Sequence, residues 1–569
     1  MFGNGPRWRR WAILVRVVRN FILLPKRKAG RIPSLQARRR AGRSFRLAQR
    51  RQGDILMMAF RAIGPVAFCL AALGSAGAHA ATRSDPVKVQ GGVIVGEHAG
   101  ALNTYLGIPF AAPPVGDLRW RAPQAVVPWQ GVREARSFSA ACAQTAVWVT
   151  HPKSEDCLYL NVWAPQSAKK LPVIVWIHGG GYYGGTAASD GFHGANLARR
   201  GAVVVSVNYR LGIFGFFAHP ELTAQSSDHA SGNQGILDQI AALRWVRNNI
   251  AAFGGDPARV AIAGESAGGS SVGVLVASPL AKGLFQRAIA ESGNYSVPIN
   301  GDETQQFDRQ TAESEGREFA TALGARNLAD LRAMSVDALH KRAWTPRTIV
   351  EGHLLREDLG TTYRHHRQND VPLLVGWNAE EGKDLAPEIL GTGEFTAAKH
   401  REHVDKLMLG HTPSAALLAA YPGVTDAGAR ASILQLTNDW WGWRMVHWAA
   451  LQTKYGRSPA YAYFFAHRPA APLTPCGYGC GAGHGAEIAY VFDNLDRDTR
   501  PWSASDRQLA ARLATTWINF ARSGSPLGKS LPAWPRYDGS AASVARIGDE
   551  AELKEFKLPD FSVFPQHVE

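Results

Sequence analysis

The stretch Val260-Ala-Ile-Ala-Gly-Glu-Ser-Ala-Gly268 decides the fold of this chain. Its first four residues are small or branched and apolar, which predicts a strand buried on both faces of a parallel sheet. The chain then turns, and the small residues from Gly269 to Ser278 predict a helix. A serine between two glycines in such a turn is a nucleophile elbow, because the glycines let the backbone fold tightly beneath it. The sequence therefore predicts that Ser266 presents its hydroxyl at the carboxyl end of the sheet.

A second serine fits the same pattern shortly afterwards, in Gly269-Ser-Ser-Val-Gly273. Its central residue, Ser271, would lie inside the predicted helix, and no strand ends before it. We therefore interpret Ser271 as a packing residue and Ser266 as the candidate nucleophile.

Positive charge is concentrated at one end of the chain. Residues 1–80 contain 17 Lys and Arg and one acid, Asp54, so they account for the whole net charge of +16. The remainder holds 46 of the 63 basic and 46 of the 47 acidic residues. This balance gives the folded part no electrostatic basis for binding nucleic acid.

The first 80 residues divide into two segments. Residues 1–56 form an Arg-rich leader, which is either an over-extended start of translation or a real basic extension. Residues 57–80 have the order of a secretory signal peptide: Arg61, an apolar core, and Ala78-His79-Ala80 as the cleavage site. We expect export after cleavage near Ala80 and a mature chain, residues 81–569, that forms one catalytic domain without a stable membrane anchor.

Four cysteines follow this signal: Cys142, Cys157, Cys476 and Cys480. Export makes disulfides plausible, and the pairings Cys142–Cys157 and Cys476–Cys480 would each close a short loop. Zinc is the alternative reading of four cysteines, but these spacings lack the paired C-x-x-C knuckles of a structural zinc site.

A second buried strand, Leu171 to Ile177, ends in the glycine-rich stretch His178-Gly-Gly-Gly181-Tyr-Tyr183. Backbone N–H groups of such a loop are not covered by side chains, so they can approach a bound atom closely. The alternative is an ordinary glycine-rich loop, which the presence of the elbow makes less favourable.

Strands and helices alternate through the rest of the chain. Val87 to Val95 predicts an edge hairpin, Ala202 to Val207 a central strand, and Ile236 to Ile250 an amphipathic helix. This order predicts an α/β fold with a mostly parallel sheet covered by helices on both faces. The aromatic cluster Trp440-Trp-Gly-Trp443 is a candidate wall of an apolar pocket.

A serine nucleophile needs a general base, and the base needs an orienting acid. In elbow-containing sheets the order along the chain is serine, acid, histidine, each on a loop after a strand. Glu381 follows the predicted strand 371–376, and His484 follows the predicted strand 460–465 on a glycine-rich loop. We therefore expect Glu381 and His484 to complete the site.

Five motifs occur together and in order along the chain. They are Glu155-Asp-Cys-Leu-Tyr-Leu-Asn161, His178-Gly-Gly-Gly-Tyr182, Gly264-Glu-Ser-Ala-Gly268, Glu380-Glu-Gly382 and Gly483-His-Gly-Ala-Glu487. With them, the chain from about residue 87 to 565 resembles the type-B carboxylesterase family, also called cholinesterase-like, of the α/β-hydrolase fold. The resemblance implies a serine carboxylesterase that forms an acyl-enzyme.

The same resemblance implies a role for individual residues. Ser266 would be the nucleophile, His484 the base and then the acid, and Glu381 its partner. Backbone N–H groups that hold the oxyanion would come from Gly180, Gly181 and Ala267. Ser292 matches the family's supporting serine, and Cys142–Cys157 its first disulfide.

The sequence also departs from the family pattern. Trp377 stands where relatives usually carry a small residue, so it either narrows the site or packs. The short spacing of Cys476 and Cys480 is not expected of the family. As candidate substrate-pocket residues we name Tyr182, Trp377 and Trp441.

Other functions would use the same residues. A lipase, a thioesterase or an amidase shares this apparatus. Some cholinesterase-like proteins are binding modules that lost catalysis, but these typically lack the serine or the histidine. The resemblance implies no metal and no cofactor, and its partners are a small-molecule ester and water.

Overall fold

The predicted elbow strand lies near the middle of an eleven-stranded sheet. The structure is a computed structural model that describes residues 82–293, 307–391, 393–408, 411–469, 481–497, 499–528, 534–548 and 558–565. These residues belong to one compact unit, Ala80–Glu569. The predicted leader and signal peptide lie outside the described residues, as do Cys476 and Cys480.

The strands of this sheet, numbered β1 to β11 in chain order, are Thr82–Arg83, Glu97–Ala99, Leu102–Pro109, Tyr159–Pro165, Leu171–Ile177, Val203–Val207, Gly255–Glu265, Arg287–Glu291, Leu373–Asn378, Ala460–Phe465 and Val544–Ile547. Across the sheet they follow the order β1-β2-β3-β4-β6-β5-β7-β8-β9-β10-β11. Strands β5 to β11 run parallel to one another, and β1 to β4 make the antiparallel pairings. The predicted mostly parallel sheet is therefore confirmed.

Side chains of the central strands alternate between two apolar cores, one on each face of the sheet. In β5, Val173 and Val175 join one core, whereas Ile174 and Trp176 join the other. Successive residues of a strand point to opposite faces, so a strand buried on both sides reads as an uninterrupted apolar run.

Helices cover both faces, as the sequence predicts. Gln234–Asn249 and Ala267–Ala277 pack in the first core, and Ala504–Ser523 packs in the second. The other described α-helices are Ala195–Arg199, Gly212–Gly215, Pro220–Gln225, Arg309–Ala322, Leu328–Ala333, Val336–Leu339, Leu359–Arg364, Glu381–Leu390, His400–Leu407, Ala415–Ala420, Asp426–Tyr455 and Ile488–Val491. Within the described ranges, none of the helices combines the length and the apolar composition that a membrane span requires.

The predicted N-terminal hairpin forms, but it does not lie at the edge of the main sheet. Strands Val87–Val89 and Gly92–Val95 pair antiparallel, and Val132–Glu134 joins them in a separate three-stranded sheet. The indole of Trp129 covers the turn so closely that a Cβ at Gly91 would lie 2.4 Å from it. That contact and a bond from Trp129 Nε1 to the Val93 carbonyl hold the hairpin against the segment that leads into Val132–Glu134.

Candidate active site

The elbow is a tight and strained turn. Ser266 has φ 57° and ψ −124°, a conformation that side-chain-bearing residues rarely adopt, and the helix Ala267–Ala277 begins directly after it. A Cβ at Gly268 would lie 2.0 Å from the carbonyl oxygen of Ile177, so a glycine is required there. The N–H of Ser266 donates to the carbonyl of Glu291 at 2.9 Å. The turn therefore lifts Ser266 away from the sheet while its backbone stays tied to β8.

The glycine-rich loop 178–184 lies against this elbow. A Cβ at Gly179 would come within 2.9 Å of Ser266 Cβ, and Gly180 and Gly181 have φ of 102° and 58°. Among the described residues, no oxygen accepts a hydrogen bond from the backbone N–H of Gly180, Gly181 or Ala267. Such donors beside a nucleophile suit the negative oxygen of a tetrahedral intermediate.

Glu381 and His484 are in direct contact. Oε2 of Glu381 lies 2.6 Å from Nδ1 of His484. The other carboxylate oxygen, Oε1, accepts hydrogen bonds from the Asn378 N–H at 2.8 Å and from Ser292 Oγ at 2.5 Å. Glu381 is fully buried, so these donors hold its charge in one orientation.

The local structure around Glu381 differs from the predicted loop. Glu381 is the first residue of the helix Glu381–Leu390, and its N–H donates to Oδ1 of Asn438. A Cβ at Gly382 would lie 1.9 Å from the carbonyl oxygen of Leu434, so the glycine allows close packing on the helix Asp426–Tyr455. Helix packing rather than a turn thus places this carboxylate.

The loop carrying His484 is held by neighbouring acids. The N–H of His484 donates to Oδ2 of Asp384 at 2.9 Å. Glu380 binds Ala482 twice, since its N–H donates to the Ala482 carbonyl and its carboxylate accepts from the Ala482 N–H. Of the two adjacent glutamates, Glu381 therefore meets the imidazole and Glu380 meets the loop backbone.

A second carboxylate, Glu265, faces the other side of the imidazole. Its Oε1 lies 3.2 Å from Nε2 of His484. Burial lowers the pKa of His484, but Glu265 and then Glu381 raise it by more, and the pKa reaches about 10. Burial also raises the pKa of Glu265, to about 7, although His484 opposes that change. The charge of Glu265 therefore favours the protonated form of His484.

Sequence reasoning missed Glu265 and Asp384. The one signal for Glu265 is its place at the end of β7, immediately before Ser266, because the ends of parallel strands meet at one edge of a sheet. For Asp384 the signal is its spacing, one helical turn after Glu381.

The geometry agrees with comparisons to known proteins. Residues 83–561 match the sequence profile described as "Carboxylesterase family". The chain belongs to the carboxylesterase family.

Relatives and solved structures of this family are similar along most of their length. The chain is 35% identical to "Fumonisin B1 esterase" of Sphingopyxis macrogoltabida over 484 residues, which cover 81% of this chain and 86% of the relative. It is 34% identical to "Para-nitrobenzyl esterase" of Bacillus subtilis, covering 82% and 96%. A solved structure titled "PNB ESTERASE" superposes with a TM-score of 0.66 at 32% identity, covering 79% of this chain and 93% of the other. The predicted α/β-hydrolase fold and hydrolase class are thus confirmed.

The three candidate pocket residues have different surroundings in this carboxylesterase-family fold. Tyr182 is fully buried, and its hydroxyl accepts a hydrogen bond from Ser271 Oγ at 3.3 Å. Trp377 is also fully buried, because its indole packs on Phe464 and on the helix at Gly442, where a glycine leaves room for it. Both rings are therefore buried in the apolar core.

Trp441 alone of the three meets the site. Its ring stands edge-on to the imidazole of His484 at 6.4 Å, and its Nε1 donates to the Ser292 carbonyl at 2.9 Å. A cavity of about 140 Å³ bounded by Trp120, Gln234 and Arg332 includes none of the candidate site residues.

Ser271 lies where the sequence predicts, inside the helix Ala267–Ala277. It is fully buried, and its Oγ accepts a hydrogen bond from Gln239 Nε2 at 3.0 Å. Burial and these bonds leave Ser271 as a packing residue.

Cys142 and Cys157 form a disulfide with an Sγ–Sγ distance of 2.03 Å. The loop it closes contacts Gly185, the residue after the glycine-rich loop, since Gln144 exchanges two hydrogen bonds with it. The disulfide thus braces the segment that follows Gly180 and Gly181. Within the described residues, no cluster of side chains has the composition of a metal site.

Proposed function

We propose that this protein hydrolyses small carboxylic esters through an acyl-enzyme, with Ser266 as nucleophile, His484 as base and Glu381 as its partner. The observation that carries the proposal is the 2.6 Å contact between Glu381 and His484 beside a strained serine elbow. Membership of the carboxylesterase family supports the same reaction class.

In the first half-reaction, His484 takes the proton from Ser266 Oγ as that oxygen attacks the ester carbonyl carbon. The carboxylate of Glu381 holds the proton on Nδ1 and stabilises the imidazolium that forms. The oxyanion accepts hydrogen bonds from Gly180, Gly181 and Ala267, and one such donor is worth roughly 3 kcal/mol in the transition state. The imidazolium then gives its proton to the departing alcohol.

In the second half-reaction, a water molecule replaces the alcohol. His484 takes a proton from that water as its oxygen attacks the acyl carbon, and the same N–H groups hold the second oxyanion. Collapse of this intermediate breaks the bond to Ser266 Oγ, which takes the proton from His484, and releases the carboxylic acid. Trp441 lies beside His484, so we assign it to the wall of the substrate pocket.

A panel of esters with varied acyl and alcohol groups tests this function. p-Nitrobenzyl esters and fumonisin B1 belong in the panel, because related proteins are named for them. We expect ordinary saturation with soluble short-chain esters. A jump in rate above the solubility limit would indicate a lipase, preference for thioesters or amides would indicate those hydrolases, and no turnover would indicate a binding module.

We also propose that the protein is exported after cleavage near Ala80, since residues 57–80 have the signal-peptide pattern and the Cys142–Cys157 disulfide is compatible with export. A chain that starts at Met57 should be secreted, and mass spectrometry should place its mature N-terminus near Ala81. A secreted protein that retains residues 1–56 when expressed from Met1 would contradict the assignment of that leader.

A further inference from the structure

A row of side chains leads across the sheet away from the candidate base. Glu265, Glu291, Gly376 and Tyr463 are register partners on the adjacent parallel strands β7, β8, β9 and β10. Register partners of parallel strands project from the same face of a sheet. The two carboxylates and the phenol ring therefore share the face covered by the helix Ala504–Ser523.

Gly376 allows Tyr463 to cross its neighbouring strand. A Cβ at Gly376 would lie 2.2 Å from Cε1 of the Tyr463 ring, so the ring occupies the space that a side chain would fill. The phenol thus extends over β9 towards Glu291 on β8. Its ring also stands 5.4 Å from that of Trp517, which donates from Nε1 to Oε1 of Glu291 at 2.7 Å.

Glu487 joins this group from the loop that follows His484. Its Oε2 accepts a hydrogen bond from Asn378 Nδ2 at 2.5 Å. Glu291, Glu487 and Tyr463 are all fully buried. None of these groups is exposed to bulk water, so each polar atom depends on partners in the protein interior.

This buried group has more hydrogen-bond acceptors than donors. Within the described part of the chain, Oε2 of Glu291, Oε1 of Glu487 and Oδ1 of Asn378 have no donor, and the Tyr463 hydroxyl has no partner. One phenol proton cannot satisfy three acceptors. An added proton on a carboxylate turns one acceptor into a donor and removes one buried charge, and both changes lower the energy of the group.

The pKa values of these carboxyl groups also favour a bound proton. Burial first, and then the charge of Glu487, raise the pKa of Glu291 well above its ordinary value, although the bond from Trp517 opposes this. Burial and then Glu265 raise the pKa of Glu487 to about 8. The other titratable groups near these carboxylates are His484 and Glu381, and Tyr209 and Glu388 are near Glu265.

We propose that Glu291 stays a protonated carboxylic acid at neutral pH, buried beside Glu487 and Tyr463, so that its side chain adds no negative charge behind His484. Every ionised carboxylate near the imidazole favours the imidazolium, which cannot accept the proton of Ser266. The charges of Glu487 and Glu265 act on Glu291, and the same two charges act on His484. This kinetic role rests on the proposed ester hydrolysis, whereas the protonation of Glu291 does not.

Infrared difference spectroscopy of the whole enzyme tests the protonation directly. At about pH 9, carboxyl groups with a pKa near 7 or 8 are ionised, and these include Glu265, Glu351 and Glu487. The proposal predicts that Glu291 keeps its proton at this pH. The carbonyl band of a protonated carboxylic acid should therefore persist at this pH. It should disappear in Glu291→Gln and remain in the matched control Tyr463→Phe, which keeps the ring.

Kinetics supply the second measurement. Glutamine copies the neutral acid in shape and in hydrogen bonding, so Glu291→Gln should keep kcat/KM within about threefold and leave the acid limb of its pH profile in place. A band that survives Glu291→Gln, or an acid limb displaced to lower pH by about one unit, would overturn the proposal.

Two other results are possible, and the protonation of Glu291 can be decided in both cases. If Glu291→Gln does not fold, the unsubstituted enzyme can be labelled with ¹³C-glutamate and its infrared spectrum recorded at about pH 9. The label should shift the carbonyl band of the protonated Glu291. Absence of a shifted band would refute the protonation. If the enzyme hydrolyses no ester, the proposed function fails while the spectra still decide the protonation.

Discussion

The carboxylate of Glu381 lies 2.6 Å from Nδ1 of His484, while the preceding residue, Glu380, binds the backbone of Ala482 instead. Two adjacent acids thus support one histidine in different ways. Glu381 orients the ring and stabilises its charged form, and Glu380 holds the loop.

Replacing Glu381 by glutamine should therefore cripple turnover without unfolding the protein. An amide keeps the shape but favours the wrong imidazole tautomer, which in a comparable serine triad costs about 10⁴ in kcat. We expect a loss of roughly three or more orders of magnitude in kcat by that analogy. Steady-state kinetics with thermal melts as a folding check provide the measurement.

Glu380→Gln is the matched control for that substitution. Glutamine still offers an oxygen to the Ala482 N–H, and Glu380 is part-exposed beside Arg468, so turnover should change by less than about tenfold. If Glu380→Gln proves the crippled variant, the assignment of the two acids must be exchanged.

The serine pair allows an equally direct comparison. Ser266→Ala should abolish both ester hydrolysis and covalent labelling by an organophosphate, because it removes the oxygen that bonds to the acyl or phosphoryl group. Ser271→Ala should leave labelling intact, since Ser271 is buried within the helix and bonded to Gln239. Peptide mass spectrometry locates the label, and a label on the Ser266→Ala protein would exclude Ser266 as the nucleophile.

Local sequence patterns predicted the elbow and the sheet because they depend on neighbouring residues. The buried run before Gly264 and the small residues after it are enough to indicate a strand, a turn and a helix. Likewise, the order of serine, acid and histidine indicated Glu381 and His484, which the structure brings into contact.

Contacts between distant strands could not be predicted in this way. Glu265 and Tyr463 share a face of the sheet only through the register of β7, β8, β9 and β10, and an apolar pattern does not specify that register across separate segments. The burial of Trp377 depends on Gly442 in a helix far along the chain. The N-terminal hairpin forms a separate sheet because it pairs with Val132–Glu134, a partner that the local pattern does not specify.

The Cys142–Cys157 disulfide should contribute measurably to stability. Its loop spans 15 residues, and closing a loop of that length in the unfolded chain is worth about 3 kcal/mol in the chain-entropy model. We expect the double variant Cys142→Ser/Cys157→Ser to lose a free energy of unfolding of that order in urea titrations. Reduction of the unsubstituted protein is the control and should shift the midpoint in the same direction; equal midpoints in all samples would contradict the prediction.

Glu265 should set the pH at which the enzyme becomes active. Its carboxylate, 3.2 Å from Nε2, favours the imidazolium of His484 and raises the pKa of that ring, so Glu265→Gln should lower it. Because His484 must be neutral to accept the Ser266 proton, the acid limb of kcat/KM should move to lower pH, by about one unit or more. Glu402→Gln, which alters a surface carboxylate paired with Lys406, is the control and should leave the limb in place. A limb that moves to higher pH in Glu265→Gln would show that Glu265 does not stabilise the charged imidazole.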